Sequence, residues 1–92
     1  MAFCTLLQWD SAFPYDRYEE LNKRAQGHAT LPDGCLARIV GGTDGAATII
    51  EVWQSGDDAR RFSEQNAPLL AEFDMPSPIR VTAFETTIFE TH

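Results

Sequence analysis

The sequence predicts an α+β domain, one antiparallel sheet with both helices on one face. Two observations carry that expectation. Segments with strand character and segments of helical period follow one another as β-α-β-β-α-β. A Gly-Gly-Thr-Asp-Gly run joins the two middle strands as a hairpin, which makes that pair antiparallel. Ninety-two residues allow a single domain, taken as residues 1–92.

The first strand is Phe3 to Trp9. Phe3, Thr5, Leu7 and Trp9 share one face and Cys4, Leu6 and Gln8 the other, so apolar groups lie on both sides. Asp10 to Phe13 connect it to Pro14, which suits the first turn of a helix. From Pro14 to about Gln26 the period becomes helical. Tyr18, Leu21, Asn22 and Ala25 fall on one face, and Glu19–Lys23 and Glu20–Arg24 are acid-before-base pairs four apart. Gly27 is the expected stop, and Pro32-Asp33-Gly34 is a turn.

Cys35 to Val40 and Ala46 to Trp53 are the second and third strands, rich in β-branched residues, with Gly41 to Gly45 as the loop between them. That loop has no helix after it and no Lys-Ser/Thr, so it is a hairpin and not a phosphate loop. Ser55 caps a second helix, with Asp58 three residues on. Ala59 and Phe62 point inward, and Pro68 is expected to break or restart the helix before Leu69, Leu70 and Phe73. Met75 to Pro78 form an extended linker, and Ile79 to about Phe89 a long final strand.

The hydrophobic fraction of 43% and the charged fraction of 23% are ordinary globular usage. A net charge of −7 argues against nucleic acid or an anionic membrane surface as partner, because such binding needs clustered Lys and Arg. The N-terminal decapeptide lacks the basic region of a signal peptide, and no apolar run reaches membrane-spanning length. Cys4 and Cys35 read as two reduced thiols. A cytoplasmic protein is expected, with no metal site and no organic cofactor.

Trp9, Ile49, Trp53, Val81 and Phe89 are too many apolar strand residues for a solvated sheet face. A second copy of the chain is the expected cover, giving a homodimeric α/β barrel.

Ile49-Ile50-Glu51-Val52-Trp53-Gln54-Ser55, followed by Ala59-Arg60-Arg61-Phe62, forms a strand, Glu-x-Trp-x-Ser, helix junction. With Tyr15-Asp16-Arg17-Tyr18-Glu19-Glu20-Leu21 on the first helix, it resembles the dimeric α/β-barrel superfamily, in particular small antibiotic-biosynthesis-monooxygenase-like domains. The resemblance covers the whole chain in element order. It implies a ferredoxin-like fold and a homodimer. Members oxidise polyketide anthrones without a cofactor, cyclise polyketides, degrade haem or dismutate chlorite, so the fold does not choose among activities. The cofactor-free monooxygenases carry an Asn four residues before the Trp; here Trp53 matches and Ile49 departs. Haem degradation needs an axial His, and the only histidines are His28 and His92.

Trp53 reads either as a wall of an aromatic ligand cavity or as a core tryptophan plugging the barrel. Tyr18 either donates a hydrogen bond to a substrate oxygen or packs with its hydroxyl at a rim. His28, the one internal group titrating near neutrality, is either a general base over the cavity or a solvated loop residue. Glu51 and Glu85, inside strands, read as carboxylates on a wet edge, paired with Arg38 or Arg80, or buried with a raised pKa, and the paired arrangement is the expected one. The resulting expectation is a small-molecule-binding barrel, with a cofactor-free cyclase or monooxygenase as its enzymatic form, acting on a hydrophobic aromatic or polyketide-like substrate. His28 and Tyr18 are its candidate acid/base groups, and Trp9, Trp53, Phe62 and Phe84 its candidate binding residues. The alternative is a non-catalytic binding or structural barrel protein.

Overall fold

Alternating residues in four segments build a sheet, and two amphipathic segments lie on it. The computed structural model describes residues 2–26, 31–88 and 90. The elements are β1 (Phe3–Trp9), α1 (Tyr15–Gln26), β2 (Cys35–Gly41), β3 (Ala47–Trp53), α2 (Gly56–Glu72) and β4 (Arg80–Glu85). The strands lie in the order β2-β3-β1-β4, every neighbouring pair antiparallel. This is the ferredoxin-like arrangement that the element order predicts.

Period two decides which side chains share a face, and register decides which face that is. Thr5 pairs with Glu51, Leu7 with Ile49 and with Val81, and Trp9 with Ala47. Along β3 the side chains of Ala47, Ile49, Glu51 and Trp53 are buried beneath the helices, and Thr48, Ile50 and Val52 are half-buried on the other side. Trp9, Ile49, Trp53 and Val81, expected on the uncovered face, therefore lie on the helix face; Phe89 is outside the described residues. The uncovered face is made instead by Cys4, Leu6, Ile39, Ile50, Val52 and Phe84. Phe84, expected to point inward, pairs with Cys4 on this outer face. Alternation had grouped most of these residues correctly, but nothing in the strands says which group the helices cover.

Three local features also differ from expectation: one strand end, one helix interior and one register. β4 ends at Glu85, not near Phe89. Its ladder to β1 stops at the Phe3–Glu85 pair, with one more bond from the Thr86 amide to the Ala2 carbonyl (2.8 Å), so the alternation beyond it has no strand to pair with. α2 runs unbroken through Pro68. A proline removes one helical hydrogen bond, and Pro68 is exposed, so its ring displaces no packed side chain. The register of β2 on β3 shifts between Cys35 and Ala37, which makes Leu36 the extra residue of a bulge.

Local interactions fix the helices. Ser55 accepts the Asp58 amide at 3.2 Å and returns a hydrogen bond to its carboxylate at 3.0 Å, the expected cap. At the other end of α2, Arg17 donates to the Phe73 and Asp74 carbonyls (3.3 and 2.9 Å). Arg24 binds Glu72 at 3.0 Å and lies over the Phe73 ring. The Glu20–Arg24 pair expected within α1 is thus replaced by one between helices. Lys23 pairs with Glu20, not Glu19. In the hairpin, a Cβ on Gly42 would overlap the Ala46 carbonyl oxygen, so only glycine fits there. The core centres on Phe13, Ala47 and Ile49, with Leu7, Trp9, Tyr18 and Met75 packed around them.

Candidate functional site

The helices do not fill the space above the sheet. A cavity of about 310 Å3 remains between them, predominantly apolar. Its floor comes from the sheet: Thr5, Leu7 and Trp9 on β1, Arg38 on β2, Ile49, Glu51 and Trp53 on β3, and Val81 on β4. Its roof comes from Phe13, from Tyr18 and Asn22 on α1, and from Ala59, Phe62, Ser63, Asn66 and Leu70 on α2. The α2 residues recur at i, i+3, i+4, i+7 and i+11, one helical face. Met75 to Pro78 close one side. That linker is held by the Trp9 indole, which donates to the Pro76 carbonyl at 2.9 Å. Leu70 and Val81 line the cavity yet are 40% and 61% exposed, so it opens between the end of α2 and β4.

The floor carries a closed polar network. Arg38 Nε and Nη2 both bind Glu51 Oε2, at 2.9 and 2.8 Å, with each side chain only 9% exposed. The other carboxylate oxygen accepts from the Thr5 hydroxyl at 3.4 Å, and that hydroxyl accepts from the Trp53 indole at 3.3 Å. The bulge at Leu36 makes this possible. It inverts the alternation of β2, so Arg38 shares the face of Glu51 instead of pointing away from the helices. The Arg38 guanidinium also lies 5.9 Å from the centre of the Phe62 ring, which in turn packs 5.2 Å from Trp53.

The roof is different. The Tyr18 hydroxyl and Asn66 Oδ1 are buried and have no hydrogen-bond partner among the described residues. Burial pushes the Tyr18 pKa up; Asn22 and Arg38 oppose the rise, and Glu51 and Cys35 add to it. Asn22 is near enough to influence the phenol, but no hydrogen bond of acceptable geometry joins them, and its Oδ1 is taken by Gln26 at 3.2 Å. At neutral pH Tyr18 is therefore a protonated phenol, a hydrogen-bond donor rather than a base. Its ring packs 5.5 Å from Phe13, which itself packs 4.7 Å from Trp9.

Of the residues singled out from the sequence, the structure brings Tyr18, Trp9, Trp53 and Phe62 to this one cavity. Phe84 lies on the opposite face of the sheet, and His28 lies outside the described residues. Glu51 takes Arg38 as its partner, whereas Glu85 is exposed at the end of β4. Sequence reasoning missed Asn66. It stands four residues after Phe62 on the inward face of α2, and that spacing was the available signal. The cysteines are unbridged, and burial pushes both thiols up in pKa. Among the described residues, no three His, Cys, Asp or Glu side chains come together as metal ligands, and no helix is long and apolar enough to cross a membrane.

A ferredoxin-like sheet with two helices on one face is an architecture known from solved structures. The chain is similar to an antibiotic biosynthesis monooxygenase-type protein of Chloroflexus aurantiacus, at 17% identity and a TM-score of 0.65 over 99% of this chain and 98% of that one. It is similar to another of that description from Deinococcus radiodurans, at 19% identity and 0.59 over 100% and 98%. It is also similar to the Streptomyces coelicolor monooxygenase ActVA-Orf6, solved with nanaomycin D, at 16% identity and 0.62 over 99% and 92%. The fold is that of the antibiotic-biosynthesis-monooxygenase-like proteins, as the Trp53 junction implied. No family model matches the sequence, and no curated protein matches it.

Proposed function

We propose that the chain binds a hydrophobic, oxygen-bearing aromatic molecule in this cavity and acts on it by proton transfer, with no metal or organic cofactor. The observation that carries the reading is the Tyr18 hydroxyl, buried and unpartnered on a residue that lines a cavity of about 310 Å3. A space of that size suits a small ligand. A buried hydroxyl without a partner is destabilising unless something supplies the partner. A substrate carbonyl would do so, and the donated hydrogen bond would stabilise the oxyanion that forms when an adjacent carbon loses its proton. His28 is proposed as the base. The ligand of ActVA-Orf6, a relative in fold, supports an aromatic polyketide-like substrate for this chain.

Deuterium exchange at C2 of 1-tetralone in D2O tests this by NMR. The protein should accelerate exchange, and Tyr18→Phe and His28→Ala should each lower the acceleration about 10- to 1,000-fold. Tetralone that binds without faster exchange would favour the non-catalytic alternative, a pure binding protein. Ile49 favours that alternative as well. It stands where the cofactor-free oxygenases carry Asn, and as a buried core residue it offers no polar group.

The outer sheet face supports a homodimer. Ile39 and Phe84 are 63% and 48% exposed there, beside Leu6, Ile50 and Val52. A second copy packed sheet to sheet would cover them and close the barrel. Sedimentation of dilute protein should give twice the monomer mass, and Ile50→Asp should return it to monomer. A folded wild-type monomer would refute the dimer.

A further inference from the structure

Asn66 is a poor choice for where it stands. It sits inside α2, where asparagine is a weak helix former, and it is only 9% exposed. Its Oδ1 has no partner among the described residues. On the same face Phe62 and Leu70 are apolar and Ser63 is small and polar, and a leucine at 66 would join Phe62 to Leu70. Helix propensity and burial both favour such a replacement, so an amide at this position points to a group that arrives from outside.

The cavity limits what that group can be. Among the described residues its two charges, Arg38 and Glu51, neutralise each other, so an ionised ligand would be desolvated with no free counter-charge from them. The Trp53 ring on its floor and the Phe62 ring on its roof offer aromatic surface that suits a planar ligand. A carboxamide offers a donor and an acceptor side by side, whichever way it is turned. We infer that Asn66 is a specificity-determining residue that selects neutral, planar ligands carrying a hydrogen-bond donor next to an acceptor, the edge presented by a lactam. This rests on the cavity being a ligand site, and it adds which ligands enter.

Calorimetric titration with 2-quinolone, N-methyl-2-quinolone, naphthalene and 2-naphthoate tests it. The wild-type protein should bind 2-quinolone about tenfold or more tighter than its N-methyl analogue or naphthalene, and should bind 2-naphthoate weakest. Asn66→Leu should keep the naphthalene affinity, lose the preference for 2-quinolone and melt no lower than wild type. Asn66→Ala, which introduces no bulk, should lose the same preference. A preference for 2-quinolone that survives both substitutions would overturn the inference while leaving the cavity reading intact. So would a loss of naphthalene binding and of stability together, since Asn66 would then be structural. If none of the four compounds bound the wild type, the cavity reading itself would fail, and the inference with it.

Discussion

The floor and the roof of one cavity treat buried polar groups in opposite ways. On the floor, Arg38, Glu51, Thr5 and the Trp53 indole form a continuous chain of hydrogen bonds. On the roof, the Tyr18 hydroxyl and the Asn66 amide oxygen are left without partners. Arg38 and Glu51 on the floor are about nine-tenths buried, like Asn66 on the roof, so burial alone does not account for the difference. A satisfied network specifies how strands and side chains pack. An unsatisfied pair in the same space stores hydrogen-bonding capacity that a ligand can use. The floor therefore holds the shape of the cavity, and the roof reads what enters it.

Removing a floor charge gives the largest expected effect. Glu51→Gln leaves Arg38 buried without its counter-charge and should cost roughly 3–5 kcal/mol in denaturant unfolding. Replacing both partners, as Arg38→Met with Glu51→Leu, should recover most of that loss. If Glu51→Gln were neutral, the floor would not be the structural half. The roof should respond with the opposite sign. Tyr18→Phe removes an unpartnered buried hydroxyl and should leave stability unchanged or raise it by about 1 kcal/mol, while it lowers tetralone exchange. A loss of 2 kcal/mol or more would show that the hydroxyl has a structural partner after all.

The roof also predicts a pH dependence. Burial holds the Tyr18 pKa above its ordinary value. The unfolded chain thus releases this proton at a lower pH than the folded one. Stability is full below the unfolded value, near about 10, and falls as pH rises through the raised folded pKa. Cys4 and Cys35, raised in the same sense, begin the fall slightly lower. Tyr18→Phe should remove the upper part of this decline in thermal melts, leaving the part due to the thiols.

The smallest effect lies outside the cavity. Ala12, in the connection from β1 to α1, adopts a left-handed conformation with φ of 50°. Ala12→Gly should stabilise the protein by about 0.5–1 kcal/mol if relief of that strain exceeds the added freedom of the unfolded chain. The substitution should not alter tetralone binding.

Much of the floor was legible in the sequence. Period two grouped Thr5, Leu7 and Trp9, and the Trp53–Ser55 junction marked the end of a strand and the cap of a helix. The direction of the faces was not legible, because alternation is symmetrical until helices choose a side. The Arg38–Glu51 partnership was anticipated, yet its inward orientation depends on one extra residue, Leu36, that resembles any other strand leucine. The roof was half visible. Tyr18 stood out as an aromatic on the inward face of α1. Asn66 did not, because a lone polar residue on a charged helix reads as surface until the face repeating at 59, 62, 63, 66 and 70 is laid over the sheet.

The central claim is that the space between floor and roof receives a ligand. Titration of uniformly 15N-labelled protein with 1-tetralone, followed at the indole N–H signals of Trp9 and Trp53, tests it most directly. The account predicts saturable shifts of both indole signals, since both side chains line the cavity, and Ala59→Trp, which fills it, should abolish them. Indole signals that stay fixed at saturating tetralone, while amides of the outer sheet face move instead, would contradict it.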